Sequence, residues 1–545
     1  MKSYLKISFI LIVSLVLVMA QTGCQKDWLD ENPLDELSEP TFWKTESDAK
    51  LALVGVYYNS TVGKLGTYSN DPLIMGAATD ESSYKEAAVG DMYSGYFYAS
   101  SYWPRSMWNR AYTTIFKANY FLENIEKVDM DASLKAQYIA EVKFLRAYEY
   151  WLASILWGGV PLVTKVLTIE EANSQSRSSL EEIRNFTIDE LTAAANALPI
   201  SRSDNEKGRI VRGAALGIKG RLLMAAERWS EAAATYKEII DMNYHLIDPR
   251  YKTIFEEEGE YSKEIILSRN CVAGVRPNGM NQIFYHPEFF GGYTSNTFYQ
   301  DVIDRYLMTD GLSIEESPLY DPDNPFDNRD PRLYATVFLP EYTVFRGVLY
   351  LAHPDYFEGA AAALMGSTGY GIKKFVTENY TGNVFSSGDD MILLRYAEVL
   401  LSYLESKLEN GDNITQDLLD QTINKVRSRE EVDMPPVTET NPETLREIIR
   451  NERLIEFLAE EHIRYMDIRR WGIFYEVMSR KFYGMKLTDN PDEYEKYQCE
   501  TSGKYAGHYI PIDKTGTYPP GTDLIPIPQY EIDINPNLQQ NPAYK

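Results

Sequence analysis

The densest run of groups that could do acid–base chemistry lies around residue 456. Glu452, Glu456 and Glu460 follow one another at intervals of four, which on a helix sets them on one face about 5–6 Å apart at Cβ. Retaining glycosidases hold two carboxyls about 5–5.5 Å apart, so the spacing is compatible with cutting a glycosidic bond. Arg453, Arg464, Arg469 and Arg470 are interleaved with them, Arg464 four residues after Glu460. Guanidinium pairing keeps carboxylates ionised, whereas a general acid must hold its proton. The stretch 442–471 is therefore expected to be one salt-bridged structural helix, and the protein is not expected to be an enzyme.

Metal chemistry finds little to build on. Glu460-Glu461-His462 lacks the His-Glu-x-x-His spacing that puts two imidazoles on one helical face, and the five His are scattered. Asp321, Asp323, Asn324, Asp327, Asn328 and Asp330 supply enough oxygen for Ca²⁺, but Pro325 takes the fifth position and the glycine of a calcium loop is missing. An Asx- and Pro-rich turn is the expected structure, and no metal or cofactor is assigned. The chain has neither a phosphate-binding Gly-x-x-x-x-Gly-Lys-Ser/Thr nor a Gly-x-Ser-x-Gly nucleophile elbow.

Aromatic residues are the other chemical resource: 41 Tyr, 21 Phe and 8 Trp. Tyr joins a flat apolar face to a polar tip, which suits amphipathic ligands. Many rings fall in long stretches without clean periodicity, at 60–104, 245–389 and 474–526, and loops of that length are usually functional. Tyr96, Tyr98, Tyr102 and Trp103 in the first, with Phe290 and Tyr293 in the second, are expected to stack on sugar rings. Asp91, Arg105 and Asn281 are their expected hydrogen-bonding neighbours. The competing expectation is that half or more of these rings pack small cores inside the loops.

The elements that must carry these loops are helical. Spacings of three and four predict helices over 111–128, 134–156, 180–198, 211–226, 230–241, 391–410 and 415–429. Gly158-Gly159-Val160-Pro161 and Pro199 supply stops. The pair 211–226 and 230–241, rich in Gly and Ala with Trp229 at its corner, resembles a tetratricopeptide unit.

Lys2 and Lys6, an apolar run over 7–20 and small residues before Cys24 read as a secretory leader. The run is shorter than the about 20 residues a membrane span needs. Gly23-Cys24 resembles a bacterial lipobox, although Gln21 departs from it, so Cys24 is the expected lipidation site. A net charge of -26 argues against nucleic acid and against electrostatic docking on anionic lipid. Besides Cys24 only Cys271 and Cys499 remain, so one disulfide or two free thiols are equally open.

Five blocks together resemble the SusD/RagB family of Bacteroidetes outer-membrane lipoproteins: Trp28-Leu29-Asp30 with 42–49; 141–148 leading to 157–161; 395–401; 451–453 through 469–472; and 525–528 with 531–544. Ala543 stands where that family usually has Gly. The resemblance implies a mainly α fold, with tetratricopeptide-like hairpins as scaffold and irregular loops as the ligand face. It implies a leader over 1–23, a lipidated tether over 24–47 and a single domain over 48–545. It also implies an anchored protein on the cell exterior that binds glycan or peptide, without catalytic residues, and hands it to a SusC-like TonB-dependent transporter. The alternatives are a lipid-anchored all-α glycoside hydrolase or lyase and a helical-repeat adhesin.

Overall fold

The computed structural model describes residues 42–63, 72–84, 97–278, 294, 296–356, 368–383, 386–460, 463–511 and 518–545. Its helical frame begins with α1 (Glu46–Asn59), closed by a capping box. The Asp48 N–H donates to Thr45 Oγ1 at 3.3 Å and the Thr45 N–H donates to Asp48 Oδ2 at 2.8 Å, satisfying two donors that the helix itself leaves unpaired. Trp43 is buried just before it, edge-on to Phe121 at 5.5 Å. The packed domain thus starts earlier than the expected tether boundary at 47.

Apart from the second helix, which starts nine residues before the expected 111, the next helices follow the sequence closely. After α2 (Tyr102–Asn124), α3 (Ala132–Leu156) starts at Asp131, whose carboxylate accepts from the Leu134 N–H at 2.8 Å. It stops at Gly158, which has φ +76, a left-handed conformation open to glycine at least cost. The Trp157 indole there donates to the Pro526 carbonyl at 3.1 Å, tying the end of α3 to the C-terminal segment. Ser179 and Glu182 cap α4 (Leu180–Ala197). Hairpin α5 (Arg212–Ala225) and α6 (Trp229–Asp241) closes because Gly220 lets a ring approach: a Cβ there would lie 2.4 Å from Tyr236 Cζ.

Beyond α6 the chain alternates short elements with loops: α7 (Gln300–Arg305), α8 (Pro331–Thr336), α9 (Tyr396–Glu409), α10 (Gln416–Gln421), α11 (Ile423–Arg427), α12 (Pro442–Glu456) and α13 (Ile463–Arg470). Successive packing of α3 on α4, α4 on α5, α5 on α6 and α6 on α9 builds one stack. The expected mainly α scaffold is what forms.

The stretches without periodicity also hold strands: β1 (Ser82–Tyr84), β2 (Ile265–Arg269), β3 (Asn296–Phe298), β4 (Val337–Phe338), β5 (Val344–Phe345), β6 (Val348–Leu349) and β7 (Tyr370–Ile372), and β8 (Met391–Arg395) follows just after them. Antiparallel pairing orders four of them β1-β3-β7-β4, while β2 joins β8 and β5 joins β6. Four helix expectations are corrected here: α2 runs from Tyr102 to Asn124 and not over 111–128, the run over 415–429 divides at Thr422 into α10 and α11, and two more concern β8 and α12. Residues 391–395 form β8 and not the start of a helix, since an apolar run of this length fits a buried strand equally well. The helix expected over 442–471 breaks between α12 and α13, with Ala459 at φ +66.

Candidate ligand-binding cleft

The three carboxylates of the acid–base run are buried and fully engaged. Glu456 accepts from Arg395 at 2.6 Å, Arg429 at 3.1 Å and Arg332 at 2.8 Å. Glu452 pairs with Arg332 at 2.6 Å and Arg427 at 2.7 Å, and Glu460 with Lys374 at 2.6 Å and Arg395 at 2.8 Å. Burial alone would raise the Glu456 carboxyl, but Arg395, Arg429 and Arg332 outweigh it and hold the group well below the usual carboxylate range. A general acid needs the opposite shift. The structural reading of this run holds, with one correction: its cations come from α8, α11, β8 and residues 374 and 429. Arg464 serves Asp80 at 2.6 Å, and Arg453 and Arg470 serve Asp467 at 2.8 and 2.7 Å. The break after α12 turns Arg464 and Arg470 on α13 to other neighbours, and it brings Asp467 of α13 within reach of Arg453 on α12.

A cleft of about 670 Å³ opens elsewhere, between α7, the turn over 320–329, residues 340–342, β7 and the segment 485–508. That volume lies in the ordinary range for small-molecule sites, about 300–1,000 Å³. Tyr320, Phe326, Tyr342, Tyr370 and Tyr505 bring rings to it. Tyr342 lies parallel to Tyr334 at 5.7 Å and meets the edge of Phe326 at 5.7 Å, yet stays 42% exposed. Its ring is thus held in place with part of its surface open.

The Asp- and Pro-rich stretch makes the wall of this cleft. Asp321 accepts from the Asp323 N–H at 3.0 Å and from Asn324 Nδ2 at 2.8 Å, an Asx turn as the sequence predicts. Arg329, fully buried, gathers the carbonyls of Pro325 at 2.9 Å, Ile303 at 2.6 Å and Tyr306 at 2.8 Å. That single guanidinium pins the turn to α7. Asp330 caps α8 and pairs with Arg332 at 2.8 Å, so its oxygens serve the core. Among the described residues no cluster of three or more His, Cys, Asp or Glu could hold a metal ion.

On the opposite wall, Tyr505 stacks on Tyr483 at 4.4 Å and its hydroxyl donates to Asp301 at 2.5 Å and Asp304 at 3.1 Å. Burial first, then Asp304 and Asp301, push that phenol far above its ordinary value, so it remains a donor. The side chain of Lys504 reaches Asp304 at 3.0 Å and Glu315 at 2.7 Å. Chemically the cleft offers ring faces, fixed hydroxyls and carboxylate acceptors.

Of the ring and polar positions expected from the sequence, the described ones, Tyr98, Tyr102, Trp103 and Arg105, do not line this cleft. Tyr98 and Tyr102 are each 58% exposed, while Arg105 lies over the Tyr530 ring at 4.5 Å. Trp103 is a correction: it is 3% exposed and stacks on Phe97 at 5.4 Å. As the second residue of α2 it falls on the inward face and packs the core. Phe298 and Tyr299 are buried as well. Asp91, Tyr96, Asn281, Phe290, Tyr293 and Cys24 lie outside the described residues. The cleft rings do fall within two of the irregular stretches, 245–389 and 474–526, but segments so distant in sequence give no local sign of meeting. Cys271 and Cys499 are buried free thiols. Among the described residues no helix is long and apolar enough to cross a membrane.

Comparison with known proteins follows the same lines. The model of the SusD family matches residues 254–544, and one described as starch-binding associating with outer membrane matches residues 27–224. A SusD-like protein of Formosa agariphila is 25% identical over 518 residues, covering 86% of this chain and 90% of its own. A SusD-like carbohydrate binding protein from Bacteroides fragilis has a TM-score of 0.85 at 33% identity, over 92% of this chain and 100% of that one. A laminarin binding SusD-like protein shares the fold at a TM-score of 0.68 and 21% identity, over 92% and 100% of the two chains. A match across more than half of the chain, joined to a fold shared over nearly its whole length, makes this protein a member of the SusD family.

Proposed function

We propose that this protein captures a glycan at the cell surface and hands it to a SusC-like TonB-dependent transporter without cutting it. The observation that carries the reading is the cleft, where partly open ring faces stand beside carboxylate acceptors. Sugars present just this pair of surfaces, apolar ring faces and hydroxyl edges. The relative from Bacteroides fragilis is named as carbohydrate binding. The leader over 1–23 followed by Cys24 supports lipid anchoring at the outer membrane, facing outward, and the description of the second family model speaks of outer-membrane association. Exposed Tyr98 and Tyr102 are proposed as further contacts for a longer chain, and ligand contact by Tyr96, Phe290, Tyr293, Asp91 and Asn281 is proposed from the sequence alone.

The test is calorimetric titration of the full mature chain with a polysaccharide panel, assaying reducing ends in the same samples. Heat of binding without new reducing ends is expected, with Tyr342→Ala weakening the affinity about tenfold through loss of a stacking face. New reducing ends would instead establish a hydrolase. A panel without a single binder would reject glycan capture and move the search to peptides.

A further inference from the structure

Five carboxylates line the cleft, Asp304, Glu315, Asp323, Asp327 and Glu341, against three cations, Arg329, Lys486 and Lys504. Both lysines are paired with carboxylates. Lys504 is shared by Asp304 and Glu315. Lys486 pairs with Asp489, which lies outside the lining. Arg329 is buried, gives two of its nitrogens to three main-chain carbonyls and, among the described residues, has no carboxylate partner, so its charge offsets one carboxylate from below the surface. Asp323, Asp327 and Glu341 are exposed, and among the described residues none of them has a cation within 4.0 Å.

This imbalance discriminates between kinds of glycan. A sulfate ester or uronate entering the cleft comes within the roughly 8 Å over which charges act at physiological salt. It meets a lining with two more carboxylates than cations and, among the described residues, no exposed cation without a carboxylate partner, and like charges are a strong means of rejecting a wrong partner. Sugar hydroxyls meet the reverse situation, because they donate to ionised carboxylates in hydrogen bonds stronger than neutral ones. The ring faces of Tyr320, Phe326 and Tyr342 serve charged and uncharged sugars alike, so stacking sets affinity and the carboxylates set the choice. The chain's net charge of -26 adds a long-range field of the same sign.

We infer that the cleft selects uncharged glycans and turns away sulfated and uronate-rich ones, with Asp323, Asp327 and Glu341 as the residues that decide it. The inference rests on the cleft being the glycan site.

Laminarin, dextran and xyloglucan, each beside its own sulfated derivative, are titrated into the full mature chain at low and at high salt. The expected result is that an uncharged parent binds and its sulfated derivative binds at least about tenfold more weakly, the gap closing as salt screens the field. In the triple variant Asp323→Asn, Asp327→Asn and Glu341→Gln the gap closes at low salt too. The salt series on the unaltered protein stands even if that variant folds poorly. A sulfated derivative binding as tightly as its parent, with Tyr342→Ala weakening both, overturns the charge selection and leaves the glycan reading intact. If no glycan of either kind binds, the glycan reading falls and takes this inference with it.

Discussion

Arg395 and Glu460 meet twice: Nε donates to Oε2 at 2.8 Å and Nη2 donates to Oε1 at 2.8 Å. The pair joins the end of β8 to the turn between α12 and α13, two elements 65 residues apart. Both partners are buried, so the bond depends on the two charges satisfying one another. Around them Glu264, Glu456, Arg332, Arg429 and Lys374 extend the same network.

Removing one member strands the others. Arg395→Met is expected to cost about 3–5 kcal/mol, because Glu460, Glu456 and Glu264 each lose a buried partner. Urea denaturation would measure it, and a loss below about 1 kcal/mol would show that the network contributes little. Ligand affinity of the surviving folded protein should not change, since Arg395 does not line the cleft.

The same network sets an acid limit. Glu456, Glu452 and Glu460 are all held below their ordinary value against the effect of burial, by Arg395, Arg332 and their neighbours. A carboxyl depressed in the folded state adds stability that is fully present above its unfolded pKa and is lost as pH falls through the folded one. The urea midpoint should therefore fall steadily as pH drops below about 4.5. A midpoint unchanged between neutral pH and pH 3 would contradict the shifts.

Glu149 behaves in the opposite sense. Burial raises its carboxyl to about 7, against the Thr61 N–H and hydroxyl that it accepts at 2.6 and 2.9 Å. Ionising it in the folded state costs stability as pH rises from its unfolded pKa toward 7. Glu149→Gln keeps one acceptor and removes the charge. Its melting temperature, compared with that of the parent, should be higher at pH 8 than at pH 5.

Two aromatic substitutions should separate structure from binding. Trp103→Ala is expected to destabilise by about 3–5 kcal/mol, as for a large core ring. Tyr342→Ala, at a half-open ring, should cost little stability and weaken glycan binding. If Trp103→Ala left stability untouched while abolishing binding, the inward packing of that ring would be wrong.

Gly220 tests the tetratricopeptide-like hairpin. A methyl there would overlap the Tyr236 ring at 2.4 Å, and forced overpacking typically costs about 1–3 kcal/mol. Gly220→Ala should lower the melting temperature, and Tyr236→Phe should not rescue it, because the ring and not the hydroxyl is in the way.

The sequence by itself determined the helical frame over 132–241 closely, because helix signals are local. Spacings of three and four, Ser179 with Glu182, and the glycine stop at 158 act within one or two turns. The five family blocks were legible for the same reason, since each is a contiguous run. Tertiary structure alone decided where charges and rings ended up. Arg464 sits four residues from Glu460 yet pairs with Asp80, 384 residues away, because the chain breaks after α12. Trp103 reads as a loop aromatic and is core, because the side of α2 on which it falls depends on where that helix docks. The cleft joins residues near 304, 326, 342 and 505. No local spacing announces such a meeting, because burial and charge pairing between distant segments are settled only when the segments pack.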